Sequence, residues 1–323
     1  MLFAQPKTLV MRRFLKAIKS LDPGLLKPIE ACVTPPMVTK RTSDARLIIL
    51  LATPRSGSTF CYQAICHRFE VNYFSNLVYF GSRYPFLSTR LANRWCSDYV
   101  SDFRSNYGFV SGLNGPAEAN DIWGDWFGQQ LVEVTPSPGE KGLVKALNYF
   151  DWLGGSTGKP FVTGWVGHIL YAQQMAELFP NAIFISLERG TQDVAVSLIR
   201  ARRQANQEFE QWFSTRPHDC LGEPSSDSFK DVARQVISLQ QRAATFNTLN
   251  PNRVFRLDYE SLCANAESEM KRLSSFSAQR EIELTSRSDT PQILSHERKP
   301  RIDEDYIQVQ EAIASLMGDE HEG

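Results

Sequence analysis

Two short segments hold residues suited to gripping an anion. In "LLATPRSGSTFC" (Leu50 to Cys61) an apolar run ends in a loop of Pro54, Arg55, Ser56, Gly57, Ser58 and Thr59. Where a strand passes through such a loop into a helix, backbone N–H groups and the helix N-terminus converge on one point and favour an anion there. Gly57 permits close backbone approach, Ser56, Ser58 and Thr59 add hydroxyl donors, and Arg55 supplies a planar charged fork. A nucleoside-triphosphate loop would read GxxxxGK[ST], with its lysine on the outer phosphates. Here Ser58 follows Gly57, so that lysine is missing. The loop by itself also fits a turn that merely caps a helix.

The second segment is "FISLERGTQDVAVSLIRARR" (Phe184 to Arg203), again an apolar strand running into a helix. Arg189 closes the strand and Ser197 follows eight residues later, a pair able to hold a second, separate phosphate. Thr191 is placed to cap the helix, with Asp193 in the first turn where the dipole favours an acid.

The elements that must position these residues follow from periodicity. "RLIILLA" (Arg46 to Ala52), "AIFISL" (Ala182 to Leu187) and "RVFRLDY" (Arg253 to Tyr259) have the apolar runs of strands covered on both faces. Thr59 to Phe69, Ile169 to Phe179 and a stretch through Met270 and Leu273 have helical spacing. The alternation predicts an α/β fold of three layers, with a mostly parallel central sheet flanked by helices. Residues 22–45, with four prolines, are expected to form a connecting arm. The predicted organisation is an N-terminal amphipathic helix and arm (1–45), an α/β domain (46–276) with an aromatic-rich insertion (72–165), and a C-terminal extension (277–323). The insertion holds Trp95, Trp123, Trp126, Trp152 and Trp165, expected mostly in the core, with the remainder free to line a pocket.

A formal net charge of -1 excludes a general nucleic-acid binder, which needs many cationic contacts to phosphate. The six cysteines form no CxxC pair and the five histidines no HxxxH or HExxH, so no metal is expected. Free thiols in a reducing cytoplasm are expected, and no run approaches a membrane span. Val10, Phe14, Ile18 and Leu21 interspersed with Lys7, Arg12, Arg13, Lys16 and Lys19 predict a basic amphipathic helix. It would pack on its own domain, with weak peripheral membrane contact through residues 7–21 as the alternative.

Taken together, the two anion segments resemble the sulfotransferase family that uses 3'-phosphoadenosine 5'-phosphosulfate (PAPS). "TPRSGST" looks like its P-loop-like 5'-phosphosulfate loop, and Arg189, Asp193 and Ser197 match the spacing of its 3'-phosphate segment. "MAELFPNAIFISLER" and "VFRLDYESL" are also similar to the family, so the resemblance spans Ile48 to about Phe276. "YGFVSGLNGPAEANDIWGDW", "QWFSTRP" and "RLDYESLC" look like segments of a bacterial group within it. The resemblance implies PAPS as co-substrate, bound by Arg55, Ser56, Gly57, Ser58, Thr59, Arg189 and Ser197, and no metal. It implies sulfuryl transfer to a hydroxyl or amine of a small-molecule, glycan or lipid acceptor.

The chain also departs from the family. Gly190-Thr191 replaces an Asp-Pro common after the 3'-phosphate arginine, and Gly164 stands where many relatives carry a catalytic lysine. Lys145, Lys159 or His168 are the expected substitutes. Arg55 is expected to stabilise the transferring group. Glu118, in "GPAEAND" beside Asp121 and Asp125, is the first candidate for the base that activates the acceptor, and His168 the second. "RARR" (Arg200 to Arg203) and "HERKPR" (His296 to Arg301) are expected either to form a basic rim or to be solvated faces. Arg298 and Lys299 are similar to a C-terminal Arg-Lys of some sulfotransferases, though Pro300 replaces a glycine. Two rivals remain at this point, a P-loop kinase-like phosphotransferase and a non-catalytic nucleotide-binding protein.

Overall fold

The computed structural model describes residues 23–105, 108–205, 212–222, 224–293, 295 and 302–319. The expected helix of residues 7–21 and the basic stretch 296–301 lie outside them. Helix α1 (Pro23–Val33) leads through an extended segment to strand β1 (Leu47–Ala52) and helix α2 (Ser58–Arg68). Helices α3 (Asn76–Phe80), α4 (Pro85–Trp95), α5 (Asn120–Phe127) and α6 (Glu140–Thr157) follow before β2 (Phe161–Thr163). A 3₁₀ turn and α7 (Ala172–Leu178) precede β3 (Ile183–Glu188), α8 (Thr191–Ala205) and α9 (Ser228–Leu249). The chain continues through β4 (Val254–Asp258), α10 (Tyr259–Ala264), α11 (Ala266–Ala278) and α12 (Glu304–Asp319).

The four strands form one open parallel sheet in the order β2-β1-β3-β4. Their side chains alternate between two cores, as the period of an extended chain requires. Leu47, Ile49 and Leu51 face an aromatic core with Phe74, Trp123 and Phe150, where the Phe74 ring meets Phe161 at 4.9 Å. Ile48, Leu50 and Ala52 face the other side, packed on Cys61, Ala64 and Ile65 of α2 and on Met270 and Leu273 of α11. Helices therefore cover both faces, the three-layer α/β arrangement expected from the alternation of strand and helix. Each buried Leu or Phe of these cores stabilises the fold by about 1.5–3 kcal/mol.

Connectivity locates the crevice. From β1 the chain goes to β2 on one side, then returns to place β3 on the other, with Ile48 paired to both Val162 and Ile183. Such a reversal splays the loops at the carboxyl ends of β1 and β3 and opens a ligand crevice between them. Those are the loops that carry Arg55 and Arg189. A third cluster, Val194 and Leu198 with Val232, Val236 and Val309, fixes α8 against α9 and α12 and so fixes Ser197.

Two expectations need correction. The proline-bearing stretch 22–45 is helical over Pro23–Val33 despite Pro28 in its interior. A tertiary contact rewards this: the Glu30 carboxylate accepts from the N–H groups of Phe86 (3.2 Å) and Leu87 (2.8 Å), capping α4, which has no side-chain cap of its own. The remainder does run as an arm, with Asn148 of α6 exchanging hydrogen bonds with the Val38 backbone. The expected helix of Ile169 to Phe179 is split by Tyr171 into the 3₁₀ turn Val166–Leu170 and α7. Trp123, Trp126 and Trp165 are core residues, whereas Trp95 is 71% exposed. Among the described residues no helix is long and apolar enough to cross a membrane.

Candidate functional site

The β1–α2 loop folds tightly because two residues adopt left-handed backbone conformations, Arg55 at φ 69° and Gly57 at φ 97°. Gly57 is needed on steric grounds as well, since a Cβ there would lie 2.1 Å from Cε2 of Tyr259. Gly57 caps α2 without a side-chain hydrogen bond, so the first N–H groups of that helix keep their capacity for an external acceptor. A non-glycine residue in the left-handed region costs roughly 1–2 kcal/mol, and here a tertiary bond offsets it. The Arg189 guanidinium donates through Nη1 to the Arg55 carbonyl at 3.0 Å. In turn Nε of Arg55 donates to the Ser197 hydroxyl at 3.4 Å. The two anion segments, more than a hundred residues apart in sequence, are thus bonded to each other directly.

Arg189 is held from several sides. Its guanidinium lies 4.6 Å over the Tyr259 ring, an attractive cation–π geometry. Its Nε is 3.8 Å from the Glu260 carboxylate, and burial raises the Glu260 pKa above its ordinary value. Behind it Gln240 of α9 donates to the Arg189 carbonyl (2.9 Å) and accepts from the Thr191 hydroxyl (2.7 Å). Thr191 is the first residue of α8, and Gln240 ties the chain on both sides of Gly190.

One cavity of about 630 Å³ unites these groups; its wall includes Arg55, Gly57, Ser58, Thr59, Arg189 and Ser197. Glu118 lines the same cavity, and burial pushes its carboxyl up to about 7. The structure places the other expected site residues elsewhere. The Ser56 side chain is fully buried and donates to the Thr53 carbonyl at 2.8 Å, away from the cavity wall. His168 is buried beneath Trp123, their rings 4.4 Å apart, with Nε2 at 3.0 Å from the Thr163 hydroxyl. Burial pushes its pKa down to about 3, and it does not line the cavity.

The lysine substitutes fare no better. Lys159 precedes β2, at the opposite end of the sheet from the crevice, and pairs with Glu70 at 3.1 Å. Lys145 lies in α6, its pKa lowered by burial. At Gly164 a Cβ would lie 2.5 Å from the Tyr62 ring, so the buried tyrosine occupies the space a longer side chain would need. The basic rim is also corrected: Arg200 pairs with Asp303 at 2.7 Å, Arg203 pairs with Asp305, and Arg202 is buried over the Trp212 ring at 5.6 Å. Arg200 and Arg203 tie α8 to the start of α12, and none of the three lines the cavity.

Sequence reasoning gave Tyr259 and Glu260 no site role beyond their place in "VFRLDYESL", and it passed over His67. The His67 ring lines the cavity with both nitrogens engaged, Nδ1 accepting from the Ser101 N–H (3.1 Å) and Nε2 meeting the Pro291 carbonyl (2.8 Å). Its partners come from distant segments, so no local pattern could have announced it. The described residues contain no cluster of three or more His, Cys, Asp or Glu side chains fit for a metal ion.

The model of the Sulfotransferase family matches residues 48–278. The chain belongs to the sulfotransferase family. Its structure is similar to a sulfotransferase domain from the curacin biosynthetic pathway (17% identity, TM-score 0.40, covering 73% of this chain and 74% of that one). It is also similar to sulfotransferase STF9 from Mycobacterium avium (12%, TM-score 0.45, 85% and 69%). A third is sulfotransferase STF1 from Mycobacterium tuberculosis H37Rv (11%, TM-score 0.45, 96% and 80%). No curated protein gives a significant match. Within this sulfotransferase, the two arginine-bearing loops meet at the crevice between β1 and β3.

Proposed function

We propose that this sulfotransferase transfers the sulfuryl group of PAPS to a hydroxyl of a small-molecule, glycan or lipid acceptor in the cytoplasm. The observation that carries the proposal is the direct bonding of the two anion loops, Arg189 to the Arg55 carbonyl and Arg55 to Ser197, around one cavity. A donor with a phosphosulfate on the 5' oxygen and a phosphate on the 3' oxygen of one ribose needs two cradles side by side on one cavity. In this reading the uncapped N-terminus of α2, Arg55, Ser58 and Thr59 bind the phosphosulfate, while Arg189 and Ser197 bind the 3'-phosphate. Residues 46–276 form the catalytic unit and 72–165 supply its acceptor side through Glu118.

The step is an in-line displacement. Glu118 takes the acceptor proton as the acceptor oxygen bonds to sulfur, and the bond from sulfur to the bridging oxygen breaks. The bond's electrons remain on the departing adenosine 3',5'-bisphosphate. Positioning and fixed positive charge at the departing oxygen supply most of the acceleration, without a metal. With Gly164 in the lysine position, Arg55 and the α2 N-terminus take that electrostatic role.

The test pairs two measurements on the full chain. Adenosine 3',5'-bisphosphate without magnesium is expected to raise the melting temperature, and labelled sulfate from PAPS is expected to enter a component of polarity-fractionated cell extracts. Stabilisation by ATP-magnesium alone would favour a phosphotransferase and overturn the proposal. Bisphosphate binding with no transfer into any fraction would leave a nucleotide-binding protein.

A further inference from the structure

His67 takes part in no step of the proposed reaction, yet it stands where three parts of the chain meet. It lies in the last turn of α2, and with Phe60 and Gln63 it forms one stripe of that helix along the cavity wall. Two segments outside any helix or strand complete the wall there, residues 101–103 from the aromatic-rich insertion and residues 291–292 from the stretch after α11. Such segments have no ladder of their own, so their backbone groups need outside partners.

Both segments are anchored at their roots. The Arg287 N–H donates to the Arg68 carbonyl at 2.8 Å, and Nη1 of Arg68 donates to the Arg287 carbonyl at 3.1 Å. The Arg287 guanidinium reaches the Tyr99 carbonyl, and the Tyr99 hydroxyl donates to Gln63 at 2.7 Å. Where the segments pass the cavity, His67 engages both: the Ser101 N–H donates to Nδ1 at 3.1 Å, and Nε2 meets the Pro291 carbonyl at 2.8 Å. A backbone N–H only donates and a carbonyl only accepts, so the pair of bonds asks for an acceptor at Nδ1 and a donor at Nε2. The ring also packs edge-on against Phe103 at 5.2 Å. At 1% exposure it offers a ligand almost no surface and acts through its partners.

We propose that His67 is a positioning residue of the donor site, a double latch that holds 101–103 and 291–292 together as one wall of the cavity. Along α2 it stands roughly 14 Å from the anion loop, at 1.5 Å of rise per residue from Ser58. A latch so far from the transferring group sets donor affinity and leaves the chemical step alone. That consequence rests on the proposed donor site, whereas the latch itself does not.

The test compares the full chain with three single variants. His67→Gln keeps a donor near the place of Nε2 and loses the acceptor for Ser101, His67→Asn does the reverse, and Ser101→Pro deletes the N–H while leaving the ring intact. Hydrogen exchange read by mass spectrometry is expected to quicken over 99–105 in His67→Gln and over 288–293 in His67→Asn, with β1 and β3 as slow as in the wild type. Ser101→Pro should copy His67→Gln. Each variant should bind adenosine 3',5'-bisphosphate about two- to tenfold more weakly, with kcat at saturating PAPS within about twofold of the wild type. Faster exchange in both segments alike in both His67 variants would mean that the ring only fills space, and would overturn the latch. Equal bisphosphate affinity in all four proteins, or a kcat that falls while affinity holds, would overturn the positioning role alone. A wild type that binds no bisphosphate would bring down the donor reading and the positioning role with it, whichever segments exchange.

Discussion

Glu118 makes two opposed pH dependences hang on one group. Burial raises its carboxyl from the ordinary 4.5 to about 7, and it lines the cavity with Arg55, Arg189, His67 and Asp102. As the proposed base for the acceptor it must be ionised, so kcat/KM should climb about tenfold per pH unit below 7 and level off above. Stability must move the other way. Between 4.5 and 7 the folded state binds the Glu118 proton and the unfolded state does not. The contribution is complete below about pH 4.5 and disappears as pH rises through 7. The shift corresponds to on the order of 3 kcal/mol.

Replacing the carboxyl with an amide separates the two effects. Glu118→Gln should lower turnover by about 10²–10⁴-fold and flatten the pH profile. The same variant should match the wild type in melting temperature at pH 4.5 and exceed it by roughly 5–10 °C at pH 8. The assay is a melting series from pH 4.5 to 8 beside initial rates over the upper part of that range. Parallel melting curves for the two proteins would refute the buried carboxyl, and a wild-type rate profile with no rise below pH 7 would refute its role as base.

Other consequences follow from the same geometry. Gly57→Ala should lower the melting temperature by several degrees and weaken bisphosphate binding, because its Cβ would displace the Tyr259 ring under Arg189. Adding Tyr259→Ala should recover part of the lost stability in a double-mutant cycle. Arg189→Gln should weaken bisphosphate binding about 10- to 100-fold and Ser197→Ala about two- to tenfold, both read by titration. Arg55→Ala should cost on the order of 10²-fold or more in turnover, and an unchanged rate would remove it from the mechanism. Gly164→Lys should destabilise by about 1–3 kcal/mol in a melt and yield no gain in rate, since Tyr62 fills its place.

What was legible in the sequence was local. The runs RLIILLA and AIFISL read as buried strands, within a residue of the observed β1 and β3, and the loop after each followed from its glycine, hydroxyls and arginine. What was not legible depends on partners far along the chain. Pro28 argued against a helix, and only the cap that Glu30 provides to α4 explains why one forms. His168 looked suited to proton transfer by residue type, but residue type does not reveal that Trp123 and Thr163 enclose it. The Arg200 to Arg203 run fitted either a rim or a solvated face, and only the fold shows that Asp303 and Asp305 engage two of its members. Glu118 could be singled out from sequence as a candidate base, yet the burial that raises its carboxyl comes from the fold.

The missing lysine also changes what the arginines have to do. With Tyr62 filling the space at Gly164, the cavity wall among the described residues has Arg55 and Arg189 as its full cations. In the proposed mechanism Arg55 faces the departing group, and its left-handed backbone at φ 69° is part of how it is held in place. That conformation is sustained by the Arg189 hydrogen bond to its carbonyl. Arg189 thus acts twice in the proposed mechanism, once on the 3'-phosphate and once as the brace that orients Arg55. Loss of Arg189 should then lower turnover at saturating donor as well as donor affinity, an outcome that phosphate binding alone would not produce.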